Sequence, residues 1–154
     1  MKKLLCISTA LAVVDQVIKA HIRTKPLGSV WFSMPPFFEL THTTNSGAAF
    51  SALSDHPYIV LILALALIVW FTFVMLHRLH LTPFSKILTA CAIGGGLGNL
   101  FDRLFVGGVT DYIRVLFVRF PVFNFADILL TFSVLLMIVL LLTGRLELTT
   151  ERKH

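Results

Sequence analysis

The chain has 154 residues, of which 56% are hydrophobic and only 14% charged. With a mean hydropathy of +0.87, it has too few charges to cover a water-soluble globule of its size. Its apolar runs are continuous, which excludes a β-barrel of alternating segments. The net charge of +5 comes from basic residues at segment ends and not from a stripe, which excludes a nucleic-acid binder.

Several runs approach or exceed the roughly 18–20 residues that cross about 30 Å of hydrocarbon. The expected fold is an all-α membrane protein with four transmembrane helices, forming one integral membrane domain over 1–154. The first span covers about 4–22. Met1-Lys2-Lys3 and the apolar stretch to Val14 have the outline of a secretory signal peptide, but Asp15, Gln16 and Lys19 continue the same segment and argue against cleavage. Asp15 and Lys19, four apart, share a helix face; by themselves they could be a self-neutralising pair that only orients the helix.

Residues 23–56 form an outer surface segment in which Pro26, Gly28, Pro35, Pro36 and Gly47 rule out a span. Val30-Trp31-Phe32 and Phe37 to His42 have strand composition, so a small extracytoplasmic β-sheet is expected at the membrane surface, where Trp31 and the phenylalanines suit the interface. Asn45-Ser46-Gly47-Ala48-Ala49-Phe50 alone reads as a turn. The second span, about 58–76, has no ionisable group and is expected to be structural. A short basic loop, His77 to Pro83, leads to the third span at about 87–105.

Within that span Gly94-Gly95-Gly96-Leu97-Gly98 is a poor phosphate loop, since no Gly-Lys-Ser/Thr follows. Gly94 and Gly98 at small-xxx-small spacing suit close helix packing instead. Asn99, Asp102 and Arg103 place an amide and an expected Asp102/Arg103 ion pair on one face near the helix end. Residues 107–122 form a second outer connection holding Asp111, Arg114, Arg119 and Pro121. The fourth span, about 123–143, carries Asn124 and Asp127 at its start, and the tail from Gly144 is polar.

Four spans put both termini on one side. Lys2, Lys3, Arg78, Lys86, Arg145, Arg152 and Lys153 flank that side, against Arg23, Lys25, Arg114 and Arg119 on the other; Lys19 and Arg103 lie inside helices. This bias puts the termini in the cytoplasm. Asp15 and Lys19, Asn99 to Arg103, and Asn124 with Asp127 then all fall at one depth near the outer face. At 1.5 Å per residue Asp127 is about 6 Å below the top of its helix.

Charges at that depth are costly and point to function. Two carboxylates brought together in a poorly hydrated site cannot both ionise easily. Asp111 and Asp127 in that state can hydrolyse an amide without a metal, one taking a proton from water while the other hydrogen-bonds the scissile carbonyl. Ser46, Ser51 and Thr110 lack a histidine base, and the six histidines have no zinc spacing. Cys6 and Cys91 lack metal spacing too. No metal or other cofactor is therefore expected. Asn45, Asn99 and Arg103 are left to hold a substrate backbone, and Asn124, three residues before Asp127, can orient it.

Asp15-Gln16-x-x-Lys19, Asn45-x-Gly47-x-Ala49-Phe50, Gly98-Asn99-x-x-Asp102-Arg103, Val109-x-Asp111-Tyr112 and Phe123-Asn124-x-Ala126-Asp127 occur in an order and spacing that closely resemble the lipoprotein signal peptidases, the bacterial signal peptidase II family. The resemblance covers nearly the whole chain. It implies a multi-pass aspartic peptidase of the bacterial inner membrane, acting near the periplasmic face. Its partners would be membrane lipid and a lipid-modified prolipoprotein, cut just before a cysteine bearing a diacylglyceryl group. Asp111 and Asp127 match the family's catalytic dyad, Asn45, Asn99, Arg103 and Asn124 match residues lining the substrate site, and Asp15 and Lys19 match a supporting polar pair, with Asp102 beside them. A monomer is expected. Departures are mild: Gly96 stands where many members have alanine, and Phe120 where Trp is common.

Two other readings remain at this point. A small proton-coupled transporter would also need intramembrane acids, but it should carry polar groups on toward the inner leaflet, where this chain has none. A non-enzymatic scaffold has no use for two acids beside several amides.

Overall fold

The computed structural model describes residues 2–47, 55–77, 79 and 81–145. Ala49 and Phe50, Arg78 and His80 of the basic loop, and Arg152 and Lys153 of the tail lie outside the described residues. In chain order the elements are helix α1 (Lys2–Arg23), strands β1 (Val30–Met34) and β2 (Phe38–Asn45), helices α2 (Pro57–His77) and α3 (Pro83–Phe105), strand β3 (Val109–Val115) and helix α4 (Phe125–Leu142). All four helices are long and apolar enough to cross a membrane. Their exposed Leu, Val, Ile and Phe side chains make the outer surface that hydrocarbon requires, and the chain is a multi-pass membrane protein.

Helix α3 is the central element, packed against α1, α2 and α4, and most of its buried residues are small. Its glycines divide between three neighbours. A methyl on Gly94 would stand 2.9 Å from the Ser8 carbonyl and Leu11 Cβ of α1. One on Gly98 would strike the Asp15 carboxylate, one on Gly95 the Ala126 carbonyl of α4, and one on Gly96 would meet only the end of Ile68 on α2, at 3.0 Å. The expected packing role of Gly94 and Gly98 is thus what the structure shows, with Gly95 and Gly96 serving the other two faces. Helix α3 also begins earlier than the predicted 87. Thr82 Oγ1 accepts the Ser85 N–H at 3.2 Å, and Pro83 in the first turn needs no N–H partner.

The predicted surface sheet exists and has a third strand. The order is β1-β2-β3, antiparallel throughout. Residues 109–115, expected as a plain connection, pair with β2 instead. Leu40 faces Ile113 and Thr43 faces Asp111, so three steps along β2 match two along β3. This extra residue places Thr43, Asn45, Val109 and Asp111 on one face of the ladder. The chain then returns: Phe123 pairs with Ile113, with the Phe123 and Ile113 amides donating to each other's carbonyls at 3.0 and 2.8 Å. That bridge carries the start of α4 alongside Asp111.

Helix α4 begins at Phe125 and not at 123. Asn124, expected on the helix face, is the N-cap: its Oδ1 accepts the Asp127 N–H at 3.0 Å, and its own N–H donates to Asp127 Oδ2 at 3.1 Å. The two remaining first-turn amides find partners on other elements. Phe125 N–H donates to Tyr112 Oη at 3.0 Å and Ala126 N–H to Asp15 Oδ1 at 3.2 Å. The helix start is therefore fixed by α1, β3 and its own cap together.

Candidate active site

Asp111 and Asp127 line one cavity of about 420 Å³ together with Asn45, Asn99 and Arg103, a size suited to a substrate segment. Its other wall is apolar, made by Phe120 to Phe123 with Ile128 and Phe132. The acids come from different elements, and one residue joins them, its backbone N–H holding Asp127 Oδ2 and its side chain holding Asp111. Asn124, fully buried, donates from Nδ2 to Asp111 Oδ1 at 2.6 Å while capping Asp127. Asn99 Nδ2 donates to Asp127 Oδ1 at 2.7 Å, and Asn45 hydrogen-bonds Asp111.

Asp111 is only 4% exposed. Burial, and next the nearby charge of Asp127, push its carboxyl from 3.8 up to about 7, against the lowering effect of Asn124, Lys19 and Asn45. Burial likewise pushes the Tyr112 phenol up to about 12, so Tyr112 stays a neutral holder of the α4 start. Arg103 spans the cavity edge, donating from Nη1 to the Asn99 carbonyl at 3.2 Å and from Nη2 to the Gly47 carbonyl at 3.3 Å. Its buried Nε–H has no partner among the described residues.

Behind the acids lies a buried charged network. Lys19 Nζ stands 2.9 Å from Asp15 Oδ2 and 3.5 Å from Asp102 Oδ2. Arg23 Nη1 stands 3.2 Å from Asp102 Oδ1 and donates to Thr110 Oγ1 at 3.1 Å. Asp102 Oδ2 also accepts the Thr110 N–H at 2.8 Å, which anchors the strand one residue before Asp111. Two cations offset two anions, and all of the cluster except the partly exposed Arg23 is fully buried.

The sequence of the whole chain compares with known proteins as this architecture would suggest. Residues 7–143 match the family model described as Signal peptidase (SPase) II. The chain belongs to the signal peptidase II family. It is 35% identical over 133 residues to the lipoprotein signal peptidase of Streptococcus pneumoniae strain R6, covering 83% of this chain and 84% of that one. With the corresponding protein of Streptococcus pyogenes serotype M5 it shares 34% over 142 residues, or 91% and 93% of the two chains. A bacterial membrane enzyme solved by the in meso method at 2.3 Å superposes with a TM-score of 0.83 at 26% identity, over 100% of this chain and 94% of that one. Another, solved at 1.9 Å, gives 0.78 at 28% identity over 92% and 94%.

For a signal peptidase II the expected site residues fall in two groups, apart from Asn124, expected to line the substrate site and instead fully buried behind the acids as the α4 cap. Asn45, Asn99, Arg103, Asp111 and Asp127 meet at the cavity, while Asp15, Lys19 and Asp102 form the buried network behind it. Two further expectations need correction. Asp102 pairs with Lys19 and Arg23 of α1, and among the described residues no ion pair joins it to Arg103. Adjacent helix positions point about 100° apart, so one residue turns to α1 and the next to the cavity. Arg23, read as an orienting surface charge, belongs to the network. The signal was available, since Asp15, Lys19 and Arg23 at four-residue steps lie on one stripe.

Proposed function

We propose that this signal peptidase II removes the signal peptide from diacylglyceryl-modified prolipoproteins, cutting just before the lipidated cysteine, with Asp111 and Asp127 as a water-activating pair. The observation that carries the reading is that two acids from different elements line one cavity and are both held by Asn124, Asp111 by its side-chain Nδ2 and the Asp127 carboxylate by its backbone N–H.

The geometry supports distinct roles. Asp111, pushed up to about 7, holds its proton near neutral pH and offers it to the scissile carbonyl oxygen. Asp127 receives N–H donors on both oxygens, from Asn99 and Asn124, and is arranged to accept a proton from water. The water oxygen bonds to the carbonyl carbon as its proton passes to Asp127 and the Asp111 proton passes to the carbonyl oxygen. On collapse the carbonyl re-forms and returns that proton to Asp111. The C–N bond breaks, the leaving nitrogen takes the proton on Asp127, and the pair is restored.

Arg103 and Asn45 are placed to hold substrate carbonyls, and the apolar wall suits the residues and lipid beside the cut. A lipid-bearing cysteine leaves the bilayer only at about 0.8 kcal/mol per CH₂, so the bond is best met at the membrane surface. We place that surface at the outer, periplasmic face of the inner membrane, with cytoplasmic termini, on the basic-residue bias.

The test is cleavage of a diacylglyceryl-modified precursor by the purified protein, beside the unmodified precursor, with and without a chelator. Cleavage of the modified form only, unaffected by chelator and lost by about 10²–10⁴-fold in Asp127→Asn, is expected. Normal turnover by Asp127→Asn, or loss on chelation, overturns the two-acid reading.

A further inference from the structure

Lys19 is fully buried, and charge pairing does not account for all of its contacts. Asp15 and Asp102 already offset it and Arg23. Its shortest contact is nevertheless with a neutral amide, Asn99 Oδ1, at 2.8 Å. We propose that Lys19 is a positioning residue for the reaction, fixing the Asn99 amide so that an N–H, and not the carbonyl, faces Asp127. The proposal rests on the two-acid reading above.

An ammonium has three donors and no acceptor, so it can be met only by the oxygen end of the amide. Asn124 Nδ2 donates to the same oxygen at 3.2 Å. With Oδ1 held from two sides, Nδ2 is turned to Asp127 Oδ1 at 2.7 Å. A flipped Asn99 would set its NH₂ against Lys19 and the Asn124 NH₂, and its carbonyl against the Asp127 carboxylate. Each contact would become donor to donor or acceptor to acceptor, and the flipped state would demand a proton on Asp127.

The remaining charges near Asp127 cannot replace this device. Arg103 of α3 and Asp111 and Tyr112 of β3 lie close enough to feel the Asp127 charge. Asp15 and Asp102 stand behind Lys19. None of these groups donates to Asn99 Oδ1 among the described residues. With Oδ1 held by Asn99 and Oδ2 by the Asn124 N–H, the Asp127 carboxylate keeps one orientation at the wall of the cavity.

The experiment is a double-mutant cycle on the lipidated precursor: Lys19→Met made in the wild-type and in the Asn99→Ala protein, with kcat and KM read separately. Expected is a fall in kcat of about 10–100-fold for Lys19→Met with KM little changed, and no further fall when Asn99 is already alanine. A lysine that only holds the fold would cost the same factor in both backgrounds, and that result overturns the proposal. Should Lys19→Met fail to fold, the same cycle is run in Asp15→Asn, which removes one buried negative charge along with the positive one and carries the same expectations. An active Asp127→Asn enzyme would sink the two-acid reading itself; an inactive one with equal Lys19→Met losses sinks only the positioning role.

Discussion

Replacing Asp111 by asparagine tests the buried acid by stability as well as by turnover. The folded carboxyl stands at about 7 against 3.8 in the ordinary state, so the folded protein holds this proton more tightly than the unfolded chain. The resulting stabilisation is fully present below about pH 4 and is lost as pH rises through about 7. At about 1.36 kcal/mol per pKa step the whole effect is about 4 kcal/mol. Asp111→Asn keeps an oxygen to accept from Asn124 and has no carboxylate to bury. Its stability should therefore match wild type near pH 5 more closely than at pH 8, where it exceeds wild type by up to about 4 kcal/mol. At about 2–4 °C per kcal/mol, that is on the order of 10 °C in Tm. Thermal unfolding in detergent micelles from pH 5 to 8.5 measures it, with cleavage of a lipidated precursor assayed on the same samples. Wild-type turnover should fall as pH passes about 7, and the variant should be inactive throughout. Parallel Tm profiles for the two proteins, or normal turnover by the variant, would refute the reasoning.

The glycines of α3 give an internal contrast. Gly95→Ala drives a methyl into the Ala126 backbone carbonyl and Gly98→Ala into the Asp15 carboxylate, so each should cost about 1–3 kcal/mol in thermal unfolding. Gly96→Ala meets only the flexible end of Ile68 and should be tolerated with unchanged Tm and turnover. Asn124→Ala removes the α4 cap and the donor to Asp111 together, and should lower stability by about 1–2 kcal/mol while abolishing cleavage. Tyr112→Phe leaves the Phe125 N–H without its acceptor, costing about 1–3 kcal/mol in Tm measurements, with turnover reduced because the α4 start is less firmly held.

The helices were legible because a span is a local property, readable from a run such as Tyr58 to Leu76. Strand β3 was not. Its sequence, Val109 to Val115, carries Asp111 and Arg114 among apolar residues, and its partner β2 lies about seventy residues away, so only the assembled sheet shows it. The acids stand out in the sequence because a charge beside an apolar span is costly, yet Asp111 on its own reads as a loop residue. What buries it is the return of Phe123 onto Ile113, a tertiary event. Asn124 was placed near Asp127 by spacing, and its role as a cap could have been read from the Asn-x-x-Asp pattern. The partners of Asp102 could not, because they depend on which helix packs against which face of α3.

The three capped amides at the start of α4 bear on when the enzyme becomes competent. They are satisfied by Tyr112, by Asn124 and by Asp15, the last of which lies on α1, more than a hundred residues before α4. A chain in which α4 has not yet docked lacks Asp127 at the cavity, and Asp111 lacks its Asn124 donor. On the two-acid reading, cleavage would therefore await the docking of α4, and a copy still lacking that contact should be inert toward its neighbours.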